Sequence, residues 1–265
     1  MLSVPGLEKG LSILELLAGS RRGLSLSEIA RKLTLPKSTT HCLLVTLKSL
    51  CYVSSSESTG RYFVGLKLVD LGNQALRGLQ LREQTISFLR SLQEATQLTV
   101  HLAILEHDDI VLLEKLKTAE TRRIATWVGR RMDAHCTGVG KAILAHLPDA
   151  DLHRCILEHG LPRHNENTIA SEKRLEQELE RIRKQGFALD DEEDELGFRC
   201  IAAPIFDGEG VVAAVSVVGT LEQITADNLA ALAVEAKTTA GAISRILKNR
   251  LQSGEPAGIE MATRP

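Results

Sequence analysis

Helical periodicity runs up to Leu33 and resumes at Leu43, and the stretch between them breaks it in a specific way. Leu35 precedes a proline and is pushed out of the helical region, while Pro36 suits the first turn of a new helix. After it come Lys37, the three hydroxyls Ser38, Thr39 and Thr40, and His41. Upstream, SLSE (25–28) is a capping box: Ser25 accepts from the backbone of Glu28, and Glu28 reaches back. The chain therefore starts a short helix at Ser25, ends it near Leu33, and opens a second that runs to about Leu50. Thr40, Leu43, Leu44 and Leu47 form the inner face of that second helix. A first helix over 6–18, marked by Leu7, Leu11, Leu14 and Leu17, precedes both. YVSSSESTGRYFVG then gives a hairpin at 52–64. Short helices joined by a tight turn and followed by a hairpin make a winged helix-turn-helix.

That motif inserts its second helix into the DNA major groove, N-terminal residues first. A helix start presents free N–H groups and a positive dipole end to phosphate; Lys37 adds charge, and Ser38 and Thr39 add short donors. Projection at about 100° per residue puts Ser38, His41, Cys42, Val45 and Ser49 opposite the Leu43/Leu47 stripe. Ser38 and His41 are candidates for base edges, and Arg61 at the hairpin tip for the adjacent backbone or minor groove. Charge agrees. Residues 1–70 hold nine Lys/Arg against five Asp/Glu, although the whole chain carries −2. Within 21–53, Arg21, Arg22, Arg31, Lys32, Lys37 and Lys48 face only Glu28, a basic patch for an anionic partner at one end. Two core helices with a capped turn would explain the caps but not a polar face beside the basic cluster.

From Leu66 to about Thr96 the pattern is helical, with a stripe of Leu68, Leu71, Ala75 and Leu79 too long for so small a head to bury. It is expected to pack against a second subunit, giving a homodimer or homotetramer. Then the period changes. LTVHLAIL, IVLLEKL and RRIATWV read as three strands by residue 128; GVGKAILAHL, ADLHRCILEHG and SEKRLEQELERIRKQG as helices; FALD, RCIAAPIF and VVAAVSVVG as strands; and 225–250 as a long helix. The expected organisation is a two-domain α+β chain: a winged helix-turn-helix over 1–65, a helical linker over 66–80, a mixed α/β domain over 81–250, and a disordered tail over 251–265. The 43% hydrophobic content is ample for such cores. No apolar run approaches the roughly 18 residues that span a bilayer, and the N-terminus lacks the order of a signal peptide. Five cysteines, scattered and never in a CxxC spacing, read as reduced thiols. A cytoplasmic protein without membrane attachment is the expectation.

The second domain carries the acidic run DDEEDE (190–195) close to Cys200. An enzyme would use Cys200 as nucleophile with His135 as base, or Asp190 and Glu193 as an acid–base pair; no glycine-elbow or oxyanion motif accompanies them. A metal site would combine His135, Cys136, Asp190 and Cys200, but their spacing matches no standard motif, and neither a metal nor another cofactor is expected. A binding pocket has its own local support. The helix start at 138–140 offers N–H groups at Gly138, Val139 and Gly140, and Asp190, Cys200 and Ser216 can converge on the same space.

GLSLSEIARKLTLPKSTTHCLLVTLKSLCYV followed by GRYFVGLKLVDLG resembles the DNA-binding half of the IclR family of bacterial transcriptional regulators. Gly186, Asp190, Glu193 and Cys200, then IAAPIFD (201–207), keep the spacing of that family's effector-domain signature, and HCTGVGKAILA (135–145) resembles its pocket loop and helix. The resemblance spans about residues 5–250. It implies a GAF-like effector-binding fold in which a sheet holds a small molecule against one face, with Gly138, Val139, Asp190, Cys200, Ser216 and Val218 at the effector. Two departures stand out. Family members commonly have arginine where Cys42 stands, and often a hydroxyl where Val218 stands. The first forbids transfer of an operator sequence from relatives. The second points to a larger, partly apolar organic acid rather than a two- or three-carbon oxoacid. The expected function is a non-enzymatic regulator that binds a two-fold double-stranded DNA operator and changes affinity with a small-molecule effector. The competing class is a metal-binding or enzymatic domain fused to a nucleic-acid module.

Overall fold

The computed structural model describes residues 3–78, 80–118 and 124–252. The chain divides into two compact units between Arg77 and Gly78.

The first unit begins with α1 (Pro5–Ala18), which buries Ile13 and Leu17. β1 (Leu24–Ser25), α2 (Leu26–Lys32), α3 (Lys37–Ser49), β2 (Val53–Ser55) and β3 (Arg61–Val64) follow, and β3 runs between β1 and β2 in a small antiparallel sheet. The capping box forms: the Glu28 N–H donates to Ser25 Oγ at 3.3 Å, and the Ser25 N–H donates to Glu28 Oε2 at 2.8 Å. Between α2 and α3 the Leu35 N–H returns to Ala30 O at 2.8 Å, and Thr34 adopts a φ of 55° to make the turn. Ile13, Leu17, Leu24, Ile29, Leu44 and Val53 form one core. Thr40 is buried beside it because its hydroxyl donates to Pro36 O at 3.0 Å, so no polar atom is stranded. Replacing Ser25 by alanine orphans the Glu28 N–H and is expected to cost this unit about 1 kcal/mol, read as a lower denaturant midpoint at unchanged m.

The 66–96 segment forms α4 (Lys67–Gly78) and α5 (Gln80–Thr96). On α4 and just before it, Leu66 (84%), Val69 (58%) and Leu71 (38%) are exposed, whereas Leu68 is half-buried. Leu79, the last residue of the expected stripe, lies outside the described residues, as does the tail from 253 onward.

The second unit is built on a six-stranded antiparallel sheet in the order β6-β5-β4-β9-β8-β7. Its strands are β4 (Thr99–Glu106), β5 (Asp109–Leu116), β6 (Arg131–Met132), β7 (Ala188–Asp191), β8 (Phe198–Phe206) and β9 (Val211–Thr220). Between β6 and β7 come α6 (Gly138–Leu144), α7 (Asp149–His159) and α8 (Glu172–Gln185), and α9 (Leu229–Gln252) closes the chain. All ten residues of β9 are buried, which requires cover on both sheet faces. α6 lies over the face formed by Ala103, Ala188, Ala202 and Ala214, small side chains that let a helix approach the sheet closely. α5 and α9 pack on each other and on the sheet.

The expected third strand, RRIATWV, is corrected. Residues 122 and 123 lie outside the described set, and 124–128 are not a strand. The Lys115 ammonium draws two of that segment's carbonyls away from any ladder, donating to Ile124 O at 2.9 Å and Thr126 O at 2.8 Å. The strand that pairs with β5 at this edge is instead the two-residue β6, through Ile110↔Met132.

Candidate functional sites

On α3, Lys37, Ser38, His41, Cys42, Val45 and Ser49 are exposed, and Thr39 is half-buried. Pro36 occupies the N-cap and supplies no side-chain cap, so first-turn N–H groups face outward with Lys37 and Ser38 beside them. Arg21, Arg22, Arg31 and Lys32 are exposed as well. Arg61 departs from expectation. It is not at the hairpin tip but begins β3, and its guanidinium donates to Gly23 O at 2.8 Å and pairs with Glu28 Oε2 at 3.1 Å. It fastens β3 to the start of α2 instead of standing free.

In the second unit, a cavity of about 460 Å³, counting the space at its mouth that is open to solvent, lies between the α6 start and the sheet. Five of the six residues expected there line it: Gly138, Val139, Asp190, Cys200 and Val218. The sixth, Ser216, lies two residues along β9 on the same face, fully buried between its register partners His101 and Ala202. Neither its hydroxyl nor that of Thr99, also buried, has a hydrogen-bond partner among the described residues.

Gly138 and Gly140 have steric reasons to be glycine. A Cβ on Gly138 would come within 2.8 Å of Cys200 Sγ, and one on Gly140 within 2.2 Å of Ala134 O. The Gly140 N–H is not free, as expected from the sequence, but donates to Thr137 Oγ1 at 3.2 Å. The Thr137 cap takes the Gly140 N–H, so of the three first-turn N–H groups those of Gly138 and Val139, residues that line the cavity, are left for a ligand.

Asp190 is positioned by its own loop: Oδ1 accepts from the Glu193 N–H at 2.8 Å and the Asp194 N–H at 3.4 Å. Burial pushes its carboxyl up to about 8, against the attraction of the Lys141 charge. Lys141 is fully buried on α6; its ammonium donates to Leu189 O at 2.6 Å, pairs with Glu193, and lies 3.8 Å from Glu178 Oε1. It ties the acidic loop to α6.

Burial, then the Asp190 charge, pushes the Cys200 thiol up to about 12, so it stays protonated. His135, its supposed base, bonds Pro162 O at 3.0 Å and lines a different cavity with Asp108 and Cys155. The nucleophile–base pair does not assemble. Nor do His135, Cys136, Asp190 and Cys200 form one ligand set.

Sequence reasoning missed the wall opposite α6. His101 lines the cavity, with Nε2 3.1 Å from Thr126 Oγ1. Burial, with Lys115 and Arg130 nearby, pulls it down to about 3, so the ring is neutral. Lys115 Nζ donates to the same Thr126 hydroxyl at 2.6 Å and is itself lowered to about 8, first by burial. The available signals were a lone histidine in LTVHLAIL and a lone lysine in IVLLEKL. Ile124, Met132, Val139, Phe198 and Val218 supply apolar lining. At the rim, the Arg199 guanidinium bonds Asp191 at 2.6 Å and Ile224 O at 2.9 Å.

Two family models match this chain: the IclR helix-turn-helix domain over 6–56 and the bacterial transcriptional regulator IclR C-terminal domain over 73–245. The HTH-type transcriptional regulator BhcR of Paracoccus denitrificans is 37% identical, covering 96% of this chain and 91% of its own. The transcriptional repressor IclR of Escherichia coli is 32% identical over 85% of this chain and 84% of its own. The crystal structure of Thermotoga maritima IclR superposes with a TM-score of 0.76 at 31% identity, covering 92% of this chain and 99% of the other.

Proposed function

The chain belongs to the IclR family of bacterial transcriptional regulators, and from that premise we propose that a partly apolar organic acid in the 460 Å³ cavity sets its affinity for DNA. The protein is a DNA-binding transcriptional regulator with an N-terminal helix-turn-helix and a C-terminal effector domain. The observation that carries the effector reading is a solvent-open pocket with one apolar wall and convergent polar groups at Gly138, Val139, Asp190 and His101. Protonated at neutral pH, Asp190 does not repel a carboxylate; it donates to one, or to an oxygen elsewhere on the ligand. A carboxylate facing the Gly138 and Val139 N–H groups, with a hydrocarbon or aromatic body against Ile124, Phe198 and Val218, fits this lining. We place no catalysis here, since the thiol and the imidazole that would run it are held apart.

A thermal-shift screen of simple carboxylates, aromatic acids and neutral aromatics tests the class. Aromatic or branched acids should raise the melting temperature, and Gly138→Val should abolish the shift. Stabilisation by neutral hydrocarbons alone, indifferent to Asp190→Asn and Gly138→Val, refutes the anion site. Stabilisation by glyoxylate or pyruvate alone refutes the larger ligand.

On DNA, Lys37, Ser38, Thr39 and His41 are read as the contacts of α3, with Cys42 on the same face. Arg61 serves as the brace of the hairpin. Lys37→Ala should weaken binding to all duplexes and reduce the salt slope by about 0.9, one phosphate contact. His41→Ala should instead flatten base preference in a selection experiment. Equal binding to heparin and to every duplex would end the operator reading.

Exposed Leu66, Val69 and Leu71 support a homodimer or homotetramer formed through the α4 region, as a two-fold operator requires. Light scattering that finds a monomer at micromolar concentration, with DNA binding intact, removes that assignment. Five free thiols support a cytoplasmic setting, and no described helix is long and apolar enough to cross a membrane.

A further inference from the structure

Asp133, Cys136 and His164 bring a carboxylate oxygen, a thiol sulfur and an imidazole nitrogen within 4.8 Å of one another. We propose that these three side chains bind a single zinc-like divalent ion, which clips the loop carrying His164 to the segment that leads into α6.

The donor set is one that zinc accepts, mixing sulfur, nitrogen and oxygen. With bonds of about 2.0–2.3 Å, ligand atoms on a tetrahedral zinc stand about 3.5 Å apart. The present spacing brackets that value. Asp133 Oδ2 and His164 Nε2 are 2.8 Å apart, with a proton between them, and the Cys136 thiol makes only a 3.9 Å contact with Asp133 O. Replacing the shared proton and the thiol proton with one cation requires side-chain rotation, not a new backbone path.

The surroundings hold the ligands in place. His164 stacks on the His135 ring at 6.3 Å and 22°, and His135 is anchored to Pro162 O. The His164 N–H and the Asn165 N–H both donate to Thr168 Oγ1, at 3.2 and 3.0 Å. Thr168 Oγ1 donates in turn to Glu193 O at 2.8 Å, and Asn165 Nδ2 donates to Glu192 O at 2.9 Å. Such secondary contacts orient ligands at protein metal sites. The Asp133 carboxylate, and the thiolate that a bound cation would draw from Cys136, supply the negative charge that a divalent ion needs. Cys136 is buried, Asp133 half-buried and His164 exposed, so one side is open for entry and for a water as fourth ligand. None of the three lines the effector cavity, and the proposal stands or falls apart from the effector reading.

The test uses the full chain stripped with a chelator and titrated with cobalt(II), then zinc. One equivalent of cobalt should bind, with the ultraviolet thiolate charge-transfer band and the strong visible bands of a four-coordinate ion. Zinc should displace it and raise the melting temperature. Cys136→Ser should lose the ultraviolet band. His164→Ala, on an exposed loop where misfolding is not a concern, should weaken binding at least about tenfold. Cobalt binding without a thiolate band overturns the proposal, as does affinity unchanged in His164→Ala. A band that survives Cys136→Ser and vanishes in Cys200→Ser moves the ion into the effector cavity, and overturns it too.

Discussion

Lys141→Ala will destabilise the effector domain by about 3–5 kcal/mol, the cost of removing one partner from a buried charge pair. For a unit of this size the loss corresponds to a fall of about 10 °C in melting temperature. Lys141 is fully buried, and the carboxylate facing it, Glu193, has a side chain only 9% exposed. Glu193 Oε2 has no hydrogen-bond partner among the described residues, so the ammonium is the principal compensation for that charge. Without it Glu193 must protonate, draw in water, or swing out and carry the 192–195 loop with it. Burial already holds the Glu193 carboxyl above its ordinary range, with Lys141 pulling it back. Lys141→Met keeps much of the volume and should cost nearly as much, which separates charge from packing. Adding Glu193→Gln to Lys141→Met should recover a large part of the loss, because no unpaired charge then remains. If Lys141→Met costs under about 1 kcal/mol, or the second change recovers nothing, the pair does not hold the loop.

The response to carboxylate effectors will fall steeply with pH above about 8 and will be much shallower in the Asp190→Asn protein, where the Lys115 ammonium, lowered to about 8 and held by loop carbonyls behind Thr126, still titrates. Burial raises the Asp190 carboxyl from its ordinary value of 3.8 to about 8. The folded state therefore keeps a proton that the unfolded state releases near pH 4. The sign follows from that difference: stability is full below pH 4, declines as pH rises from about 4 to about 8, and is flat above. Asp190→Asn cannot ionise, so its stability relative to the parent should grow through the same window. An anionic ligand selects the protonated form, and each pH unit above 8 should weaken it by about tenfold. Calorimetry or fluorescence titration between pH 6 and 9.5 would read this. A parent profile as shallow as that of Asp190→Asn would mean that Asp190 does not face the ligand's charge.

The neutral His101 on the opposite wall fits the same picture, since it adds no competing titration over that range. With Thr126 and Lys115 it forms a polar chain ending in an ammonium held by loop carbonyls. That chain makes the far end of the cavity polar without placing a bare charge in it.

What the sequence by itself determined is what depends on near neighbours. The Ser25–Glu28 cap, the turn at Pro36 and the outward face of α3 follow from three- and four-residue spacings, and from the conformations that proline permits. The β8–β9 hairpin follows from two apolar runs around DGEG. Tertiary structure decided which hydrogen-bonding groups remain available. Arg61 reads as a free cation until Glu28, 33 positions away, is brought beside it. Nothing in the spacing around Lys141 marks it for the core until Glu193, 52 positions away, meets it there. RRIATWV reads as a strand until Lys115 takes its carbonyls. In each case a long side chain can reach several partners, and local periodicity carries no information about which one the fold supplies. Burial then raises the cost of any choice but one, and that cost exists only once the sheet and α6 have closed over the site.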